Sequence, residues 1–147
     1  MNIKKLVNHL KYENIFKLYK NDGKINWKAV SNHNELPYEF IDKYFHQLKP
    51  FNIEQKQKLN SYLLKKYKSY INWFTLAAYQ EIPDDVLNLY FKLFDKRIQL
   101  SIIKYQNLKF NFLLENIDLF KEKNFLNALM QNLYINASIK EKIKSLL

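Results

Sequence analysis

INWKAVSNHNELPYEFIDKYF, residues 25–45, returns without a gap as INWFTLAAYQEIPDDVLNLYF, residues 71–91. Seven of the 21 aligned positions are identical, and most of the others keep their character. Ile25-Asn26-Trp27 becomes Ile71-Asn72-Trp73, Glu35-Leu36-Pro37 becomes Glu81-Ile82-Pro83, and Tyr44-Phe45 becomes Tyr90-Phe91. The offset is 46 residues, twice 23. Self-similarity at a fixed period in this range is the mark of a stacked repeat architecture.

Within the tract, Trp27, Val30 and Ser31 stand at helical spacing. A polar corner follows at His33-Asn34-Glu35, and Pro37 opens a second helix, where its missing N–H costs nothing. Phe40, Ile41, Tyr44, Phe45 and Leu48 then form one apolar stripe at helical period. Glu39 and Asp42 lie early in that helix, where the dipole favours acids, and Lys43 comes later. The second copy repeats the logic. Trp73, Leu76 and Ala77 lead to Pro83, and Asp84-Asp85 precede the stripe Val86, Leu87, Tyr90, Phe91 and Phe94.

A degenerate copy sits at half the offset. It sets Pro50 against Trp27, Ile53 against Val30, Leu59 against Leu36, and Leu63, Leu64 and Tyr67 against Phe40, Ile41 and Tyr44. A fourth copy is expected from near Ile98, with Tyr105-Gln106-Asn107-Leu108 mirroring Tyr79-Gln80-Glu81-Ile82. A fifth is expected on Phe125, Leu129, Leu133, Ile139 and Ile143. Each unit reads as a short helix, a corner and a longer helix that cannot bury its stripe alone. Residues 4–20 predict an N-terminal amphipathic helix with Leu6, Val7, Leu10, Ile15, Leu18 and Tyr19 on its apolar side. The linker Lys20-Asn21-Asp22-Gly23-Lys24 is the clearest break and holds the only glycine.

The expected fold is all-α: a short α-solenoid of four to five helix-turn-helix repeats of roughly 23 residues behind an N-terminal cap helix. One domain spans 1–147, with the cap over 1–22 and repeats over 25–147. Composition agrees. Hydrophobic residues make up 48%, too many for a disordered chain, while one Gly and three Pro are too few turn residues for a long β-meander.

The same residues exclude familiar chemistry. No cysteine means no disulfide framework and no thiolate metal site. A single glycine leaves no phosphate cradle. His9, His33 and His46 lack a metal-ligand spacing. Asp84-Asp85, just behind Pro83, serves the helix start better than general acid–base work. No serine elbow is present. Trp27, Pro37, Tyr44, Trp73, Pro83 and Tyr90 recur at fixed repeat positions and read as packing signatures rather than ligand platforms. The chain therefore reads as no enzyme, with no catalytic residue, cofactor or metal.

The net charge is +10, shared as +8 over residues 1–70 (fourteen Lys, six acids) and +2 over 71–147 (nine Lys, one Arg, eight acids). Lysines concentrate in the degenerate unit at Lys49, Lys56, Lys58, Lys65, Lys66 and Lys68, with Tyr62 and Tyr70 between them. A basic face with aromatics suits a phosphate backbone, an acidic protein or anionic headgroups. High Lys, Asn and Ile also fit an AT-rich genome. The start of the chain has no apolar core of a signal peptide, and the most apolar tract, Tyr70 to Tyr79, is too short to span a bilayer. An intracellular place, in host cytoplasm or nucleus, or in a virion, is expected.

The unit W-x-x-[VL]-[SA]-x-x-x-x-[LI]-P-x-x-[FV]-[IL]-x-x-Y-F, as written by Trp27 to Phe45 and Trp73 to Phe91, resembles helical repeats in proteins of large AT-rich DNA viruses. The resemblance covers residues 25 to 120. It implies a viral origin and brings no catalytic residues with it. The second unit lacks the Trp, and the fourth lacks both Trp and Pro. The expected function is a non-enzymatic protein–protein interaction or assembly module. Its partner is another protein, with self-association as an option. The alternative is a nucleic-acid-associated protein that binds phosphates through the Lys-rich helix face.

Overall fold

The computed structural model describes residues 12–147, so Leu6, Val7, Leu10 and His9 lie outside the described residues. The chain divides into two compact units, Met1–Tyr70 and Ile71–Leu147. The division falls where the second copy of the 21-residue tract begins.

In the first unit, residues 12–19 are helical (α1). Strands β1 (Lys20–Asn21) and β2 (Lys24–Ile25) then pair antiparallel, Lys20 opposite Ile25. The expected linker is thus a hairpin. Asp22 and Gly23 both have positive φ (48° and 78°), as a two-residue turn matched to strand twist requires. Helices α2 (Trp27–Ser31), α3 (Tyr38–Tyr44), α4 (Pro50–Lys56) and α5 (Ser61–Lys66) follow. Their core is Val30, Phe40, Ile41, Ile53, Leu63 and Leu64, each at most 1% exposed. Burying each such side chain contributes about 1.5–3 kcal/mol. Of the half-offset copy, Ile53, Leu59, Leu63, Leu64 and Tyr67 are buried, while Pro50, set against Trp27, is exposed. On α1, Ile15 is buried but Leu18 is 68% exposed, against its expected place on the apolar side. Phe16 takes that place instead, with its ring 5.9 Å from Trp27 and 5.3 Å from Tyr44.

The second unit holds α6 (Trp73–Tyr79), α7 (Asp84–Tyr90), a 3-10 turn (Phe91–Leu93), α8 (Lys96–Tyr105) and α9 (Phe110–Glu115). A second 3-10 segment (Ile117–Lys121), α10 (Lys123–Gln131) and α11 (Ala137–Ser145) complete it. Helix α8 packs against both α6 and α10, and α9 against α11. The fourth pair starts at Lys96, two residues before the expected Ile98, because Asp95 caps it by accepting from the Arg97 and Ile98 amides. Helix α8 has ten residues where α6 has seven, and these three extra residues are the slip in register that blurs the fourth copy. In the fifth pair Phe125 and Leu129 are buried as expected, but Leu133 is 93% exposed. Helix α10 ends at Gln131, so the helical period that would carry Leu133 inward has already stopped.

The pattern of a short helix followed by a longer one holds for α2 and α3 only. In the fourth pair it is reversed, ten residues before six. The helix starts share a device. Asn26, Asn60, Asn72 and Asn136 each cap a helix by accepting a backbone N–H three residues on. Part of the high asparagine content is therefore structural. Pro37 and Pro83 take the cap position itself, one residue before their helices, at nearly the same φ and ψ (−57°, 143° and −58°, 143°). Glu39, Asp84 and Asp85 fall in the first turns they were expected to serve. Among the described residues no helix is long and apolar enough to cross a membrane.

Candidate interaction surfaces

The repeat signatures are occupied by packing. The Trp27 ring lies tilted against Tyr44 at 5.4 Å, and Trp73 stands 6.1 Å from Tyr90 and 4.9 Å from Phe94. Trp73 is buried and Trp27 half-buried. His33 is hydrogen-bonded through Nδ1 to the Tyr19 hydroxyl at 2.9 Å. His46 is exposed, edge-on to Tyr67 and Tyr70. No group of three His, Cys, Asp or Glu able to hold a metal occurs among the described residues.

A second set of repeated contacts was not foreseen. Gln57, 2% exposed, accepts from the Leu36 amide at 2.8 Å and donates to the His33 carbonyl at 2.5 Å. Gln106, 3% exposed, accepts from the Ile82 amide at 2.7 Å and donates to the carbonyls of Ala77 (2.6 Å) and Gln80 (3.0 Å). Leu36 and Ile82 are the same repeat position, 46 residues apart. Asn132, fully buried, donates to the Ile103 and Gln106 carbonyls and accepts from the Tyr134 and Ile135 amides of its own corner. A buried carboxamide just past the first helix of one pair thus satisfies the corner of the pair before it. A carboxamide suits this role because it carries donor and acceptor on one rigid plane.

The lysine-rich stretch of the first unit reaches solvent. Lys49, Lys56, Lys58, Lys65, Lys66 and Lys68 are all exposed. It is also partly neutralised. Asp42 Oδ1 accepts from Lys66 Nζ at 2.7 Å and lies 2.8 Å from the Tyr67 hydroxyl, while Tyr62 reaches Oδ2 at 3.4 Å. Burial pushes the Asp42 carboxyl up, but hydrogen bonds from Lys66 and Tyr67, the Lys66 charge and the Tyr62 contact together outweigh it and hold it below its ordinary range. The hydrogen bond to Asp42 raises Lys66 in turn. Lys66 and Tyr62, which the sequence offers as a basic-aromatic pair for a ligand, are tied to Asp42. Lys56 and Lys58 share a cleft of about 530 Å³ with Glu35 and Glu39. The single acid visible in the Lys43–Lys68 stretch, Glu54, is buried, and the preceding pair adds Asp42 against Lys66 and Glu35 and Glu39 beside Lys56 and Lys58.

The second unit carries a groove of about 430 Å³ across α6, α8 and α10. Helix α8 lines it with Arg97, Leu100, Ser101 and Lys104, and α10 with Asn124, Asn127 and Gln131. Phe74 of α6, 53% exposed, and Tyr105 give it an aromatic wall. No carboxylate lines it. Ser101 Oγ donates to the Phe74 carbonyl at 3.2 Å and fixes α8 against α6. Two of the missed residues carry a sequence signal: Asn124 and Asn127 lie on one face of a helix, three apart.

Comparison of the chain with family models, with curated proteins and with solved structures gave no match.

Proposed function

We propose that this chain is a non-enzymatic helical-repeat module that binds another protein, built as a short α-solenoid of five helix pairs. The observation that carries the reading is the recurring corner contact of Gln57, Gln106 and Asn132, which within each unit ties a corner to the helix of the next pair. Repeat arrays held by nearest-neighbour contacts present rows of helices as extended binding surfaces. The groove across α6, α8 and α10 is such a row. The resemblance of residues 25–45 and 71–91 to repeats of large DNA viruses is the support for a viral origin.

Affinity capture from cells producing the chain, followed by reconstitution with purified components, tests this reading. A defined protein that binds stoichiometrically after nuclease treatment is the expected result. Retention of nucleic acid alone would favour the second reading, phosphate-backbone binding through the exposed Lys49, Lys56 and Lys58.

A further inference from the structure

We propose that the groove across α6, α8 and α10 takes an extended, acidic peptide segment of a partner protein; this rests on the protein-binding reading above. Its backbone would be held by Asn124, Asn127 and Gln131, and its carboxylates by Arg97 and Lys104.

The amides argue for a backbone ligand. Asn124, Asn127 and Gln131 line one wall of the groove, are exposed, and have no side-chain hydrogen-bond partner among the described residues. Each carboxamide offers a donor and an acceptor in the geometry of a peptide group. Asn124 and Gln131 are seven residues apart on α10, a rise of about 10 Å along the helix axis. Three residues of extended chain cover the same length at about 3.3 Å each. An extended segment running along α10 therefore meets an amide near both ends of a three-residue span.

The charges argue for acidic side chains. Arg97 and Lys104 are also seven residues apart, on the facing side of α8, and no carboxylate lines the groove between them. The nearest acid contact of Arg97 is Asp95, at 3.8 Å and outside the groove lining. Arg97 is highly exposed and forms no close bond there, so its guanidinium can turn to a bidentate partner. Phe74 and Leu100 add apolar lining that suits one apolar side chain of the segment. A single-stranded nucleic acid fits less well, because two cations along such a groove neutralise few phosphates.

The test is fluorescence anisotropy on the full chain at low salt. The probes are fluorescein-labelled ten-residue peptides in which Asp or Glu alternates with Leu or Phe. Lys-for-acid and backbone N-methylated counterparts are run beside them, together with a ten-nucleotide oligothymidylate. The acidic peptide is expected to bind, and the Lys peptide not to bind. N-methylation and the double variant Asn124→Ala/Asn127→Ala should each weaken binding by roughly tenfold, the size of one or two lost hydrogen bonds. Arg97→Glu/Lys104→Glu should abolish it. Circular dichroism of these variants should be unchanged, since the four side chains sit on helix surfaces. Oligothymidylate binding without peptide binding overturns the proposal. So does equal binding by N-methylated peptide, unaltered affinity in the amide variant, or no acidic peptide bound at ~1 mM. A captured protein partner that still binds the Arg97→Glu/Lys104→Glu variant fully would sink this groove while leaving the protein-binding reading intact.

Discussion

Replacing Gln106 by Leu keeps the side-chain volume and removes three hydrogen bonds at once. The Ile82 amide and the Ala77 carbonyl belong to residues 2% and 1% exposed, so water does not readily take the place of the lost amide. The Gln80 carbonyl is on a half-buried residue and can turn to solvent. Two buried polar groups left without partners cost about 1–3 kcal/mol each, so the second unit should lose about 2–6 kcal/mol. That is a large share of the 5–15 kcal/mol typical of a whole domain. Urea unfolding followed by Trp73 fluorescence in a Trp27→Phe background reports the second unit. With a slope of about 1.5 kcal/mol per molar, the midpoint should fall by roughly 1–4 M. Asn107→Ala, at an exposed neighbouring position, should leave the midpoint where it is. Gln106→Glu sharpens the point. Its carboxylate can accept from the Ile82 amide but cannot donate to the two carbonyls, so burial raises its folded pKa above the unfolded value near 4.3. Such a group is protonated more in the folded state, and stability falls as pH rises through that window. The Glu variant should therefore be less stable than the Leu variant at pH 8 and recover towards pH 5. A Leu variant as stable as the Asn107→Ala control would refute the idea that the amide holds the corner.

Asp42→Asn should destabilise the first unit by about 1 kcal/mol at pH 7, because Tyr67 and Lys66 lose a charged acceptor. The folded carboxyl is held low, so its contribution is present above the unfolded pKa near 4 and lost as pH falls through the folded value. The gap between wild type and variant in urea titrations should close below about pH 4, and a gap constant down to pH 2 would contradict this. Glu35→Gly should raise the first unit's stability by up to about 1 kcal/mol, since Glu35 sits at φ 53°, where a Cβ is strained and glycine is not. A loss on calorimetry would mean the side chain contributes more than the backbone relief. Triple replacement of Lys49, Lys56 and Lys58 by Glu should lower the salt needed to elute the chain from immobilised heparin. It should leave acidic-peptide affinity unchanged, since that groove belongs to the second unit.

The core was legible because it obeys one rule. Val30, Phe40 and Ile41, and their counterparts Leu76, Val86 and Leu87, recur at helical spacing and are buried. Where the rule stopped, the reading failed: Leu133 lies past the end of α10, and Leu18 is turned outward while Phe16 is recruited to the Trp27 cluster. The corner contacts were missed because glutamine is ordinarily a surface residue. A signal was present nonetheless. Asn32, Gln57, Gln80, Gln106 and Asn132 each follow the last residue of the first helix in a pair. The half-neutralised lysine face could not be read either, because Asp42 and Lys66 are 24 residues apart and meet only when two pairs pack. The groove escaped for a similar reason: its residues come from three helices and meet only when those helices pack.

The three extra residues of α8 bear on how such a chain can change. The contact between Gln106 and the Ala77–Ile82 corner survives in a helix three residues longer than its counterpart, because the amide is counted from the helix's end and not from its start. Insertions near the beginning of a first helix leave the joint untouched and alter only what the exposed side of that helix displays. The joint and the displayed surface are thus nearly independent variables. A first helix can differ by three residues in length, and in the side chains it exposes, while the contact at its end is kept.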